Sequence, residues 1–128
     1  MKERNIQNEI RLKLAPGTAL FRVNAGGEAW TGNEIIKLAD GSVLIRDARR
    51  FIAGVPAGFS DLFGIRPVTI TEDMVGETLG VFVAIEVKAG RRTPTEKQDH
   101  FISFVKEHGG RAGIARSVED AQKIIDGG

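Results

Sequence analysis

At 128 residues the chain has the length of one domain, enough to bury a core and too short for two ordinary ones. Lysine and arginine total 18 against 17 acidic residues, so a net charge of +1 supplies no global field for capturing a polyanion, and any nucleic-acid contact must come from a local patch. Cysteine is absent, which excludes disulfides, thiolate metal sites and a cysteine nucleophile. The polar start Met1-Lys2-Glu3-Arg4-Asn5 leads into no apolar run, so neither a signal peptide nor a membrane span is expected, and a cytoplasmic, intracellular setting is the default.

Ile6, Ile10 and Leu14 recur at helical spacing, and Pro16-Gly17 follows, which predicts an amphipathic helix over roughly 2–15 with Glu9 on it. Residues 19–23 read as a short strand, and Asn24-Ala25-Gly26-Gly27 has the composition of a loop. Two β-rich runs, 34–39 and 42–46, flank Asp40-Gly41, the dipeptide that suits a type I′ hairpin turn. Gly54, Pro56 and Gly58 break the chain before Phe59-Ser60-Asp61-Leu62-Phe63, placing Asp61 beside a chain reversal, and 67–71 reads as another strand.

The clearest strand is 81–88, whose run Val81-Phe82-Val83-Ala84-Ile85 is apolar enough to sit centrally in a sheet. Thr93-Pro94-Thr95-Glu96 then carries a capping residue, a proline at the first helical position and a glutamate three residues after the cap, predicting a helix that runs to about His108. Gly109-Gly110 stops it, 111–116 reads as a short strand, and Ser117 caps a last helix through Val118, Ala121, Ile124 and Ile125. The order predicts an α/β chain with a mixed sheet, folded as a single domain over 1–128.

Side chains alternate across a strand, so Glu86 and Lys88 share one face with Phe82 and Ala84, and that face turns ionic at its end. A strand emerging into water explains this equally well, because an exposed ion pair contributes only about 0–1 kcal/mol and demands no function. Asp61 supplies a second carboxylate near a turn. Two carboxylates brought together repel unless a cation lies between them, and a hard ion such as Mg²⁺ suits one or two carboxylates plus a substrate phosphate. Such an ion would lower the pKa of a water and offset charge developing on phosphoryl oxygens, with Lys88 orienting the nucleophile or stabilising the transition state.

Asp61 followed by Glu86-Val87-Lys88 resembles the PD-(D/E)XK nuclease motif, with Ser60 where a proline often stands. More specifically, Gly58-Phe59-Ser60-Asp61, Val83-Ala84-Ile85-Glu86-Val87-Lys88 and Thr93-Pro94-Thr95-Glu96-Lys97-Gln98 resemble the virus-type replication-repair nuclease (VRR-NUC) family over most of the chain. The resemblance implies a restriction-endonuclease-like αβββαβ core with a central mixed β-sheet flanked by helices. It implies Mg²⁺ or Mn²⁺ held by Asp61, Glu86 and the main-chain carbonyl of Val87, with Lys88 as the catalytic lysine. Glu9 is the best match to a helix-borne glutamate that approaches the metal, and Gln98 to a residue supporting the lysine or substrate. Branched DNA such as a four-way junction is the implied substrate, and symmetric cleavage of a junction requires two sites, hence a homodimer.

Several residues carry two readings. Glu9 without the resemblance is a solvated neighbour of the Ile6–Ile10 stripe, and Gln98 shares the inward spacing of Phe101 and Val105. Arg91, Arg92 and Lys97 either neutralise DNA phosphates or line a solvated loop and helix. His100 and His108 lie too far apart on one helix for a zinc pair, and Trp30 reads as packing or an interface more readily than as a base-stacking platform. Neither Gly-Gly pair has the pattern of an ATP site. Phe51, Ile52, Phe63 and Val68 serve equally as core or dimer contacts. Alternatives to a junction endonuclease are a flap or exonuclease subunit of a larger assembly and a non-catalytic nucleic-acid-binding domain.

Overall fold

A computed structural model describes residues 2–23, 29–51, 54–56 and 58–127. The loop predicted at 24–27 and the apolar Ile52 lie outside the described residues. In chain order the elements are α1 (Glu3–Leu14), β1 (Ala19–Arg22), β2 (Ala29–Thr31), β3 (Glu34–Lys37), β4 (Val43–Arg46), β5 (Arg49–Phe51) and β6 (Leu62–Ile65). A 3-10 turn (Glu72–Met74), β7 (Val83–Val87), α2 (Glu96–Glu107), β8 (Arg111–Ala115) and α3 (Val118–Ile125) complete the order. The architecture is α/β, as the element pattern predicts. Among the described residues the strands are hydrogen-bonded two by two, β1 with β6, β2 with β5, β3 with β4 and β7 with β8, where the resemblance implies one central sheet. The chain divides into two compact units, Arg22–Phe63 and the remainder, Met1–Phe21 with Gly64–Gly128.

The larger unit is organised by the segment β7-α2-β8, in which parallel strands pair from Val83↔Arg111 to Val87↔Ala115. A parallel pair cannot be joined by a tight turn, so α2 makes the crossover and covers the sheet. Val105 on α2 is fully buried and packs with Ile65 and Ala112, against which Phe21, Phe82, Ala84 and Ile102 also rest. Phe21 is the aromatic hub, with ring centroids 5.7 Å from Phe101, 6.1 Å from Phe104 and 6.4 Å from Phe82. The helix then ends as predicted: Gly109 turns with φ 86°, and the amides of Gly109 and Gly110 donate to the carbonyls of Lys106 and Val105, closing the last turn.

Two expectations for this unit are corrected. β7 pairs only with β8 among the described residues, and Val81, Val83 and Val87 are exposed, so it is not a strand buried on both faces. The inward face is the one carrying Phe82, Ala84, Glu86 and Lys88. The strand predicted over 67–71 is also absent; β6 instead follows Asp61 directly and stops before Pro67, which has no N–H to offer a ladder. Gly64 in β6 passes so close to the carbonyl of Ala19 that no Cβ fits.

In the smaller unit the predicted hairpin is longer than its sequence signals. β3 and β4 pair antiparallel from Glu34↔Arg46 to Lys37↔Val43, and β2 and β5 pair from Ala29↔Phe51 to Thr31↔Arg49. Two residues on each arm, 32–33 and 47–48, separate the ladders; there the Asn33 amide donates to the Arg46 carbonyl at 3.0 Å, and Gly32 lies so close to the Arg46 carbonyl that no Cβ fits. At this interruption Asp47 takes φ 51°, and its carboxylate accepts from the Asn33 side-chain amide at 3.1 Å, while Asn33 accepts from Arg49 at 3.3 Å. Glu34 and Arg46 form a cross-strand ion pair at 3.2 Å.

The hairpin turn is not type I′, which needs positive φ at both central residues; only Gly41 has it, at 89°. Gly41 N–H donates to Leu38 and Leu38 N–H to Ser42, the pattern of a three-residue loop ending on a left-handed glycine. Ser42 hydrogen-bonds the Asp40 carboxylate, first through its side chain and then through its amide, holding that carboxyl below its usual value. A depressed carboxylate stabilises the turn fully above its unfolded pKa and loses that contribution as pH falls through the lowered value.

Replacing Gly41 by Ala should cost about 1 kcal/mol, because a side chain meets open space there yet must adopt the left-handed region. Gly17→Ala, also in open space and without positive φ, should be neutral or slightly stabilising. Urea denaturation of both variants checks the contrast.

Candidate active site

The end of β7 carries a compact polar cluster. The Glu86 side chain is one-third exposed and Lys88 only 17%, and the Lys88 ammonium lies 3.5 Å from Glu86 Oε1. Gln98 Nε2 donates to the same Oε1 at 2.8 Å. Glu86 Oε2 takes part in no hydrogen bond or ion pair among the described residues. Glu86 and Lys88 therefore continue the core-facing line of Phe82 and Ala84 under α2, and the strand does not simply fray into water.

Gln98 reaches Glu86 because of how α2 begins. The cap is Thr95, two residues later than the sequence signal at Thr93 suggests, and Pro94 precedes the cap instead of opening the helix. Thr95 Oγ1 accepts from the Gln98 amide at 3.2 Å, and Gln98 Oε1 accepts from the Thr95 amide at 2.9 Å, a reciprocal capping box. With its oxygen fixed by the cap, the Gln98 amide nitrogen is aimed at Glu86. Gln98 thus faces inward, as its spacing with Val105 predicts.

Glu86, Lys88 and Gln98 are thus brought together. Glu9 on α1 is half-exposed and pairs with Lys13, one turn on, at 2.8 Å. Asp61 belongs to the smaller unit, where it is exposed at the start of β6 and its carbonyl accepts from the Val23 amide at 3.0 Å. The chain reversal before it is present: Phe59 N–H donates to Pro56, and Gly58 has φ 83°. Among the described residues, no three histidine, cysteine, aspartate or glutamate side chains gather as a ready metal cage. The open Glu86 Oε2 nevertheless fits a hard divalent ion, which commonly takes one or two carboxylates and fills its remaining positions with water and phosphate.

Arg91 and Arg92 are exposed in the turn after β7, which Arg92 N–H closes onto the Ala89 carbonyl at 3.2 Å, and Lys97 is exposed on the first turn of α2. The sequence reading passes over Arg116, which follows β8. Its position beside Lys88 follows from parallel pairing, since the Lys88 amide donates to the Ala115 carbonyl at 3.1 Å. The available signal was that strands of a βαβ unit end on the same side.

The fold and the cluster define an α/β protein whose ionic strand end lies where parallel sheets place their sites. The family model of the VRR-NUC domain matches residues 1–119, and the chain belongs to that family; it is a nuclease domain. No curated protein and no solved structure matches the chain. No helix among the described residues is long and apolar enough to cross a membrane.

Thr95→Ala and Gln98→Ala should each lower stability by about 1 kcal/mol, since each opens the capping box. The double variant should lose less than the sum, because the two side chains close one motif, and a chemical-denaturation double-mutant cycle measures the coupling.

Proposed function

We propose that this domain is a metal-dependent endonuclease that hydrolyses DNA phosphodiesters at branched structures such as four-way junctions. The observation that carries the reading is the Glu86–Lys88–Gln98 cluster at the end of β7. A bound Mg²⁺ or Mn²⁺ would supply an acidified water and positive charge against the phosphoryl oxygens.

Glu86 would hold that ion through Oε2, since Gln98 and Lys88 engage Oε1 and fix the orientation of the carboxylate. The resemblance assigns the Val87 carbonyl, Asp61 and Glu9 to the same ion by their place in the motif order. The Lys13 pair does not prevent this for Glu9, since an exposed pair of that kind is worth only about 0–1 kcal/mol. Lys88, largely shielded from water, directs its N–H donors at the attacking oxygen or at the charge that develops on phosphorus-bound oxygens. Arg91, Arg92 and Lys97 supply phosphate contacts that fix the DNA without reading its sequence. Symmetric cutting of a junction places two copies in a homodimer.

The purified protein should cut a four-way junction in Mg²⁺ or Mn²⁺ and leave it intact in a chelator, with flap, duplex and single-stranded DNA cut more slowly. Lys88→Ala should reduce cleavage by at least about 100-fold while the protein still binds DNA and stays folded. Metal-independent cutting or a fully active Lys88→Ala contradicts the reading. Preference for flaps by a monomer would favour a subunit that cuts within a larger assembly.

A further inference from the structure

Arg116 lies where the two parallel strands of the larger unit end. Parallel strands of a βαβ unit end on one side, and the loops that follow them form a common rim. On this rim the first loop is the turn from Ala89 to Arg92, in which Gly90 has φ 57°. The first residue of the second loop is Arg116. Its guanidinium Nη1 donates to the Gly90 carbonyl at 2.8 Å, across 26 positions of sequence. Its own amide is held at 2.9 Å by the carboxylate of Asp120, within the turn that Ser117 caps.

The turn so held carries Arg91 and Arg92, both exposed. None of the guanidiniums of Arg91, Arg92 and Arg116 forms an ion pair among the described residues. Three guanidiniums thus lie on one rim, with the Asp120 carboxylate on the Arg116 amide as their acidic neighbour, in a chain whose overall charge is close to neutral. A polyanion is the ligand that such a rim recognises, because neutralising each phosphate releases condensed counterions. An arginine on a loose loop requires both backbone and side chain to be ordered when it binds, and a turn already pinned avoids the backbone part of that cost.

We infer that Arg116 is a positioning residue that pins the turn from Ala89 to Arg92, so that Arg91 and Arg92 present a preformed phosphodiester-binding surface beside the Glu86–Lys88 strand end. This rests on the nuclease reading above, and it adds the device by which the local basic patch is built.

The test measures binding of the full chain to a fluorescent four-way junction by anisotropy, at several salt concentrations. All variants carry Lys88→Ala so that the DNA stays whole. Adding Arg116→Ala should weaken binding about three- to tenfold, whereas in an Arg91→Ala/Arg92→Ala background it should change binding less than about twofold. Arg116→Lys, which keeps reach and a donor for Gly90, should restore binding to within about twofold of the parent. Should Arg116→Ala not fold by circular dichroism, Arg116→Met keeps the stem without a donor and carries the same expectation. No loss on removing Arg116, or an equal loss in both backgrounds, overturns the inference while leaving the nuclease reading intact. A parent that binds no DNA overturns both.

Discussion

The side chain of Gln98 uses both of its polar atoms. Its oxygen completes the start of α2 on the Thr95 amide, and its nitrogen holds Glu86 at the end of β7. One residue therefore couples the folding of a helix to the orientation of a carboxylate. The coupling is local and strong because a buried or half-buried amide leaves a costly unsatisfied group if either partner is lost. It also gives the crossover helix a second task beyond covering Phe82 and Ala84: the helix that makes parallel pairing possible aligns the ionic end of the same strand.

That arrangement explains why the ionic residues sit on the core-facing side of β7. Phe82 and Ala84 fill the layer under Val105, and the same face, two and four residues on, reaches the N-terminal turn of α2. The Glu86 carboxylate lies 3.5 Å from the Lys88 ammonium in this largely shielded position. In the function proposed for it, a lysine fixed by packing and pairing is already oriented when a phosphate arrives.

Much of this was legible in the sequence. The three helices, the strands at 19–23 and 111–116, and the Ser117 cap follow from periodicity and from local capping chemistry, which act over a few residues. The grouping of Glu86, Lys88 and Gln98 was legible through the motif order, and Gln98 through its inward spacing. The exact cap was ambiguous: Thr93 with Glu96 and Thr95 with Gln98 both have the spacing of a capping box, and the chain uses the second. The outer ladder of the hairpin was hidden because Gly32-Asn33 and Asp47-Ala48 have the composition of turns, though pairing resumes beyond them with equal numbers of residues on the two arms. Arg116 was invisible for a related reason, since its neighbour Gly90 is brought near only by strand pairing.

The equal residue count on the two arms of that hairpin constrains how its length can vary. Because successive side chains alternate between faces, inserting one residue on a single arm would turn every residue beyond it to the opposite side. Matched additions of two residues in each arm, the length of the Gly32-Asn33 and Asp47-Ala48 segments, leave the faces of Ile35 and Ile45 as they were. The arm can therefore lengthen or shorten without reversing the surface it presents only in steps of two residues on each side.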